Sequence, residues 1–148
     1  MATDVVVDSS VIVALVTLEK YSEWASKSIK EHEYFHILDL SFYEVANAIR
    51  HKMSDNLSAK DGATAFKQAE KMMNLYSVHS FSDVIADALN IAMELEISVY
   101  DASFLSLSNK LDMRLLTLDQ KLAKKLEHTE YDCLIECPNK KAVNDKTE

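Results

Sequence analysis

Two acidic side chains in this sequence follow predicted buried strands, the position at which α/β proteins commonly place their functional residues. Asp8 follows the β-branched run at residues 5–7, which predicts a buried strand. Asp119 comes shortly after a second predicted strand at residues 114–117. In an open α/β sheet, ligands bind beyond the carboxyl ends of the strands. Carboxylates gathered there could hold Mg²⁺ or Mn²⁺, because these hard ions prefer oxygen ligands.

Glu44 and Asp101 complete the acidic set, and each belongs to a predicted helix. Asp101 precedes Phe104 and Leu105 by three and four residues, so it shares their apolar face. A buried carboxylate needs a partner, and a metal ion would serve because no basic residue lies on that face. Glu44 lies beside the apolar stripe of the helix predicted at residues 42–53, so it need not point into bulk water.

The same acids also have ordinary structural interpretations. Asp8 and Asp119 directly precede predicted helices, where aspartate is a common capping residue. Glu44 follows Ser41 by three residues, the spacing of a capping box in which Glu44 bonds back to the Ser41 amide. Taken singly, these acids leave capping and chemistry both open. Together they would repel one another and raise their pKa values, a cost that a bound cation removes.

Helices and strands alternate along the predicted chain. Strands are expected at residues 5–7, 36–38, 114–117 and 132–137, with a strand or loop at 76–79. Helices are expected at residues 11–18, 21–31, 42–53, 59–75, 83–95, 100–111 and 120–126. This alternation predicts a three-layer α/β/α fold with helices on both faces of a mostly parallel sheet. A single domain is expected over residues 1–138, followed by a polar, flexible tail at 139–148.

Composition restricts the classes of function. A net charge of −8 argues against a large basic surface for gripping nucleic acid, but not against an enzyme that touches it briefly. One glycine and one proline exclude a glycine-rich phosphate loop. The sequence lacks a membrane-spanning run and a signal peptide, which predicts a cytoplasmic protein. Cys133 and Cys137 lie in one predicted strand, about 13 Å apart, which is too far for a mutual disulfide.

Four segments resemble, in order, the motifs of PIN domains. They are VDSSVI at residues 7–12, FYEVANAIR at 42–50, SVYDASFLSLS at 98–108 and LLTLDQKL at 115–122. Any one of them is a weak signal, whereas four in the family order are specific. The chain is most similar to the VapC-type toxins of toxin–antitoxin pairs, which are single PIN domains of this size.

This resemblance implies an endoribonuclease that uses Mg²⁺ or Mn²⁺. The implied metal-binding and catalytic residues are Asp8, Glu44, Asp101 and Asp119, with Asp8 and Asp101 as the principal ligands. Ser10 and Thr117 would hold the carboxylates in place. Arg50, Lys52 and Arg114 follow or flank the elements that carry the acids and could meet phosphates or simply be solvated, and Arg50 is the strongest candidate RNA contact of the three. The resemblance also implies a homodimer and an antitoxin partner whose tail blocks the groove.

The sequence departs from the family pattern at turns and not at the acids. Asp39 and Leu40 stand where a proline commonly precedes the second motif. Glu96 and Asp112 stand where a glycine is common before the third and fourth motifs. Asp112 can tolerate the left-handed backbone that such a glycine would adopt.

Three other functions stay open at this point. A catalytically silent PIN-like domain could serve as a protein-binding module. A PIN nuclease of ribosomal-RNA processing or RNA surveillance would carry the same acids. A phosphate-accepting receiver domain also clusters acids at strand ends, but it needs paired acids early in the chain and a lysine that ends its last strand. The segments around Asp8 and Cys137 supply neither.

Overall fold

The computed structural model describes residues 3–140 of the 148-residue chain. Within that range the elements are β1 (Asp4–Val7), α1 (Ser9–Val16), α2 (Ser22–Ile29), β2 (Tyr34–Leu38), α3 (Leu40–Asp55), α4 (Ala59–Leu75), β3 (Ser77–His79), α5 (Ile85–Leu95), α6 (Val99–Leu111), β4 (Arg114–Leu116), α7 (Gln120–Lys125) and β5 (Ile135–Glu136). Two short 3₁₀ turns, Phe81–Asp83 and Asp132–Leu134, precede α5 and β5.

All five strands run parallel, in the order β3-β2-β1-β4-β5. The first strand lies at the centre, and the chain continues to β2 on one side and to β4 on the other. A sheet of this kind opens a crevice where its strand order reverses, between the carboxyl ends of the two strands concerned. Here those strands are β1 and β4, which precede Asp8 and Asp119.

Helices cover both faces of the sheet because its central strand is apolar on both sides. Val5 and Val7 pack with Ile37 into a core beneath α1, α3 and α4. Val6 packs with Leu38 into a second core beneath α5, α6 and α7. All five side chains are fully buried, and each contributes about 1.5–3 kcal/mol by leaving water. The three-layer α/β/α fold expected from the sequence is therefore confirmed.

The strand predicted at residues 132–137 is wrong in its first half. Residues 132–134 form a 3₁₀ turn, and only Ile135–Glu136 pairs with β4. Lys140 favours this shape, because its ammonium donates to the carbonyl oxygens of both Asp132 and Ile135, a contact that periodicity does not reveal. Lys140 belongs to the segment expected to be a flexible tail; residues 141–148 of that segment lie outside the described residues. Both cysteines are free, as expected.

Two non-glycine residues end helices in the left-handed conformation. Glu96 follows α5 with a φ of 56°, and Asp112 follows α6 with a φ of 53°. These are the two positions where PIN-like sequences commonly carry glycine, and the left-handed backbone expected at Asp112 is confirmed. An L-residue with a side chain loses roughly 1–2 kcal/mol in this conformation, which glycine adopts freely.

Replacing Glu96 with glycine should therefore stabilise the protein. We expect Glu96→Gly to raise the free energy of unfolding by about 0.5–1 kcal/mol, because the strain at the end of α5 is relieved. Urea denaturation measures the change. Glu94→Gly is the matched control: it makes the same substitution inside α5 and should lower stability by about 1 kcal/mol. Equal destabilisation by both variants would contradict the strain argument.

Candidate functional site

The acids identified from the sequence meet in one open cavity of about 560 Å³. It lies at the crevice formed by the carboxyl ends of β1 and β4, and it is walled by α1, α3 and α6. The four acids that line it are Asp8, Glu44, Asp101 and Asp119. They come from positions up to 111 residues apart in the sequence, so the fold alone brings them together.

Asp8 is held by two hydroxyl groups that donate to the same carboxylate oxygen. Ser10 Oγ lies 2.7 Å from Asp8 Oδ2, and Thr117 Oγ1 lies 2.8 Å from it. Each hydroxyl also accepts a backbone N–H, Ser10 from Leu118 and Thr117 from Asp119, both at 3.1 Å. The capping interpretation of Asp8 is wrong, because its side chain makes no capping bond to α1. Instead, the two hydroxyls orient the carboxylate through Oδ2.

Glu44 is not part of a capping box. The helix begins at Leu40, two residues earlier than predicted, so Ser41 lies inside its first turn and accepts the Leu38 N–H instead. Glu44 Oε1 accepts a hydrogen bond from Ser9 Oγ at 2.8 Å. This contact crosses 35 residues, so no local pattern could have identified Ser9 as a residue of the site.

Asp119 and Asp101 both stand at helix starts, with different consequences. Asp119 Oδ1 accepts the Leu122 N–H at 3.0 Å, so its capping interpretation is correct, while its second oxygen remains for a ligand. At the start of α6 the cap is Ser98, whose Oγ accepts the Asp101 N–H at 3.0 Å. The Asp101 carboxylate is thus not the cap, and it lines the cavity.

Burial and mutual repulsion raise the pKa values of three of these acids, Asp8, Glu44 and Asp101. Burial raises the pKa of Asp8 above its usual range, and the negative charge of Asp119 adds to this, although the Ser10 and Thr117 hydroxyls oppose it. Burial raises the pKa of Glu44 to about 7 and that of Asp101 to about 6, with the charge of Asp8 contributing to both. When neighbouring carboxylates repel one another in this way, a bound cation stabilises their charged forms.

The chemistry of this donor set fits Mg²⁺ or Mn²⁺. Four carboxylates supply hard oxygen donors, and neither histidine nor cysteine lines the described cavity. Within residues 3–140, however, no three such side chains are arranged to hold an ion as they stand. An ion in this cavity would therefore be held by the carboxylate oxygens together with water molecules, as is usual for Mg²⁺.

The cavity also contains residues that the sequence did not single out. These residues are Glu19 and Tyr21. Lys52, which the sequence offered beside Arg50 as a weaker candidate for a phosphate contact, also lines the cavity, whereas Arg50 is exposed on α3 and is not among the lining residues. Lys52 follows Glu44 by eight residues, and such spacing places both on one helical face.

The parallel sheet with an acidic cavity at its carboxyl edge defines the class of protein. Residues 5–127 match the PIN domain family, and the chain belongs to that family. It is 36% identical to Ribonuclease VapC3 of Pyrobaculum aerophilum over 121 residues, which cover 81% of this chain and 92% of the relative. It is 29% identical to Exonuclease VapC9 of the same organism over 125 residues, which cover 84% of this chain and 87% of the relative.

A solved structure independently shows the same fold. The toxin–antitoxin complex from Klebsiella pneumoniae contains a chain that matches 89% of this protein and is itself 95% covered, with a TM-score of 0.65. Sequence identity to that chain is 12%. The backbone architecture is therefore shared even where most side chains differ.

Proposed function

We propose that this PIN domain is a metal-dependent endoribonuclease that hydrolyses RNA phosphodiester bonds. The observation that carries the proposal is the meeting of four carboxylates in one cavity, where burial and repulsion raise the pKa values of Asp8, Glu44 and Asp101. Extensive similarity to a protein named as a ribonuclease supports RNA as the substrate. Four intact acids also disfavour a catalytically silent binding module.

The acids divide the work of holding the metal. Asp8 and Asp101 would be the principal ligands, and Glu44 and Asp119 would bind directly or through water. A divalent cation held by these residues supplies positive charge against the phosphate and lowers the pKa of a water molecule. The chain itself then needs no nucleophilic side chain.

Three hydroxyls keep the ligands in position. Ser10 and Thr117 fix the Asp8 carboxylate, and Ser9 fixes that of Glu44. Because both bonds to Asp8 end on one oxygen, they orient the group without using its other oxygen. Removing a hydroxyl that orients a metal ligand in this way typically lowers metal affinity by roughly 10–100-fold.

Circular RNA tests the proposed endonuclease activity directly. We expect circular and linear RNA to be cut with Mg²⁺ or Mn²⁺, and neither to be cut in chelator, because the acids alone cannot neutralise the phosphate. Asp101→Asn should cut neither. Degradation of linear RNA alone would support an exonuclease, the activity in the name of the second relative. Absence of any metal-dependent difference between wild type and Asp101→Asn would favour the binding module.

We further infer that the protein is the toxin of a toxin–antitoxin pair and acts in the cytoplasm. Similarity to a VapC protein and to the fold of a chain in a toxin–antitoxin complex supports this role. No helix among residues 3–140 is long and apolar enough to cross a membrane. Induced expression in a bacterial host should arrest growth, and co-expression of the antitoxin should restore it. Normal growth of a host that accumulates active nuclease would contradict the toxin role.

A homodimer is also proposed, and an exposed apolar stripe on α5 supports it. Ile85, Leu89 and Met93 recur every four residues along the helix, and Phe81 precedes them at the same interval. Their exposed fractions lie between 43% and 71%. The opposite side of the helix is buried, so this stripe is free to pack against a second copy of the chain.

Charges placed on this stripe should separate the dimer. We expect wild type to be dimeric by light scattering and Leu89→Glu to be monomeric, because burying an unpaired carboxylate is costly. Asn90→Glu is the control: it adds the same charge to the same helix beside the stripe and should remain dimeric. A monomeric wild type at high protein concentration would refute the proposal.

A further inference from the structure

One lysine reaches into the acidic cavity. Glu44, Ala48 and Lys52 follow one another at intervals of four residues on α3, and all three line the cavity. Eight residues of α-helix correspond to about 12 Å along the axis. Lys52 therefore lies two turns from the metal-binding end of the same face, and it is the one basic residue among the described residues that line the cavity.

Lys52 is paired with Glu19, which belongs to the connection between α1 and α2. Lys52 Nζ lies 2.8 Å from Glu19 Oε2, and the two side chains are 30% and 27% exposed. Ser22 holds the backbone of Glu19: the Glu19 N–H donates to Ser22 Oγ at 2.9 Å, and the Ser22 N–H donates to the Glu19 carbonyl at 3.1 Å. The lysine is therefore held at the cavity wall by a carboxylate on a fixed loop.

We propose that Lys52 binds a backbone phosphate of the RNA beside the cleaved bond, and that Glu19 occupies its ammonium group in the free protein. This inference rests on RNA being the substrate. A carboxylate and a phosphate present the same kind of anionic oxygen to an ammonium donor. A partly exposed ion pair is only weakly stable, so a phosphate can displace Glu19 at little cost.

The negative charge of the cavity explains why a phosphate would need Lys52. Five carboxylates and one lysine line the described cavity, so an RNA strand is repelled wherever a cation does not face it. A metal ion held by the four acids would neutralise the phosphate at the site of cleavage. The adjoining stretch of backbone needs a second positive group, which Lys52 provides once Glu19 has been displaced.

Opposite effects of two substitutions on RNA binding test this role. Affinity is measured by fluorescence anisotropy with labelled single-stranded RNA and Mg²⁺, in an Asp8→Asn background so that the RNA stays intact. Lys52→Gln should raise Kd about five- to tenfold at low salt and reduce the slope of log K against log salt by about one. Glu19→Gln should lower Kd about threefold, because the lysine no longer has a competing partner. The double variant should bind like Lys52→Gln, since Glu19 acts through Lys52.

Matched controls separate local contact from overall charge. Lys67→Gln removes one positive charge from the exposed side of α4, outside the cavity lining, and Glu23→Gln removes one negative charge from α2. Both should stay within about twofold of the parent Kd. Lys52→Arg keeps the charge and should retain binding. Equal losses from Lys52→Gln and Lys67→Gln, or weaker binding by Glu19→Gln, would overturn the proposal.

The outcome is distinguishable from failure of the nuclease proposal. If wild type cleaves RNA and Lys52→Gln binds it like the parent, only the lysine assignment fails. If binding depends on Lys52 but wild type cuts no RNA with any divalent cation, only the nuclease assignment fails.

Discussion

Asp8→Asn should reduce RNA cleavage by about a thousandfold or more while the protein remains folded, a loss equivalent to roughly 4 kcal/mol of transition-state stabilisation. Asparagine keeps the size of the side chain, and its carbonyl oxygen can still accept the bonds from Ser10 and Thr117 that Asp8 Oδ2 accepts. It lacks the negative charge that a divalent cation requires. The substitution should therefore lower metal affinity and the cleavage rate without disturbing the packing of the protein.

Cleavage of a fluorescent RNA at saturating Mg²⁺ measures the loss, and isothermal titration with Mn²⁺ measures metal affinity. Asp61→Asn, in the exposed first turn of α4, makes the same chemical change away from the cavity and should retain full activity. Wild-type cleavage by a folded Asp8→Asn variant would refute the proposed mechanism.

Glu44→Gln should stabilise the metal-free protein at neutral pH, the reverse of what loss of a hydrogen-bonded acid usually does. The pKa of Glu44 is raised to about 7 and that of Asp101 to about 6 in the folded protein. The unfolded chain binds these protons less tightly, so the contribution of these two groups to stability is fully present below about pH 4 and is lost as pH rises towards 7. Both groups are only half-buried, and solvent screening limits the gain from Glu44→Gln to about 1 kcal/mol at pH 7.5.

Urea denaturation in chelator at pH 4 and pH 7.5 tests the sign. The gain of Glu44→Gln should appear at pH 7.5 and vanish at pH 4, where wild-type Glu44 is protonated. Glu70→Gln, an exposed acid on α4, should change stability at neither pH. Added Mg²⁺ should stabilise wild type at pH 7.5 more than it stabilises Glu44→Gln, because the variant offers one charge fewer. A lower stability of Glu44→Gln in chelator at pH 7.5 would show that repulsion among the acids is not the dominant effect.

Local sequence patterns predicted most of the fold because burial is periodic along an element. The buried run at residues 5–7 required a strand covered on both faces, and α4 spans Ala59–Leu75 as its apolar stripe predicts. The pattern failed at residues 132–134, where a 3₁₀ turn replaces strand. There Lys140, which lies several residues later in the chain, donates to the carbonyl oxygens of Asp132 and Ile135.

The sequence by itself determined which carboxylates could form the site, because acids at strand ends and on a buried helical face stand out against an apolar pattern. Their partners were decided only by the tertiary structure. In the folded protein Glu44 accepts a hydrogen bond from Ser9 and does not form the expected capping box. Lys52 lines the cavity, whereas Arg50 does not. The physical reason is that periodicity reports which side of an element is buried, whereas hydrogen bonds and ion pairs depend on which distant element the fold brings opposite.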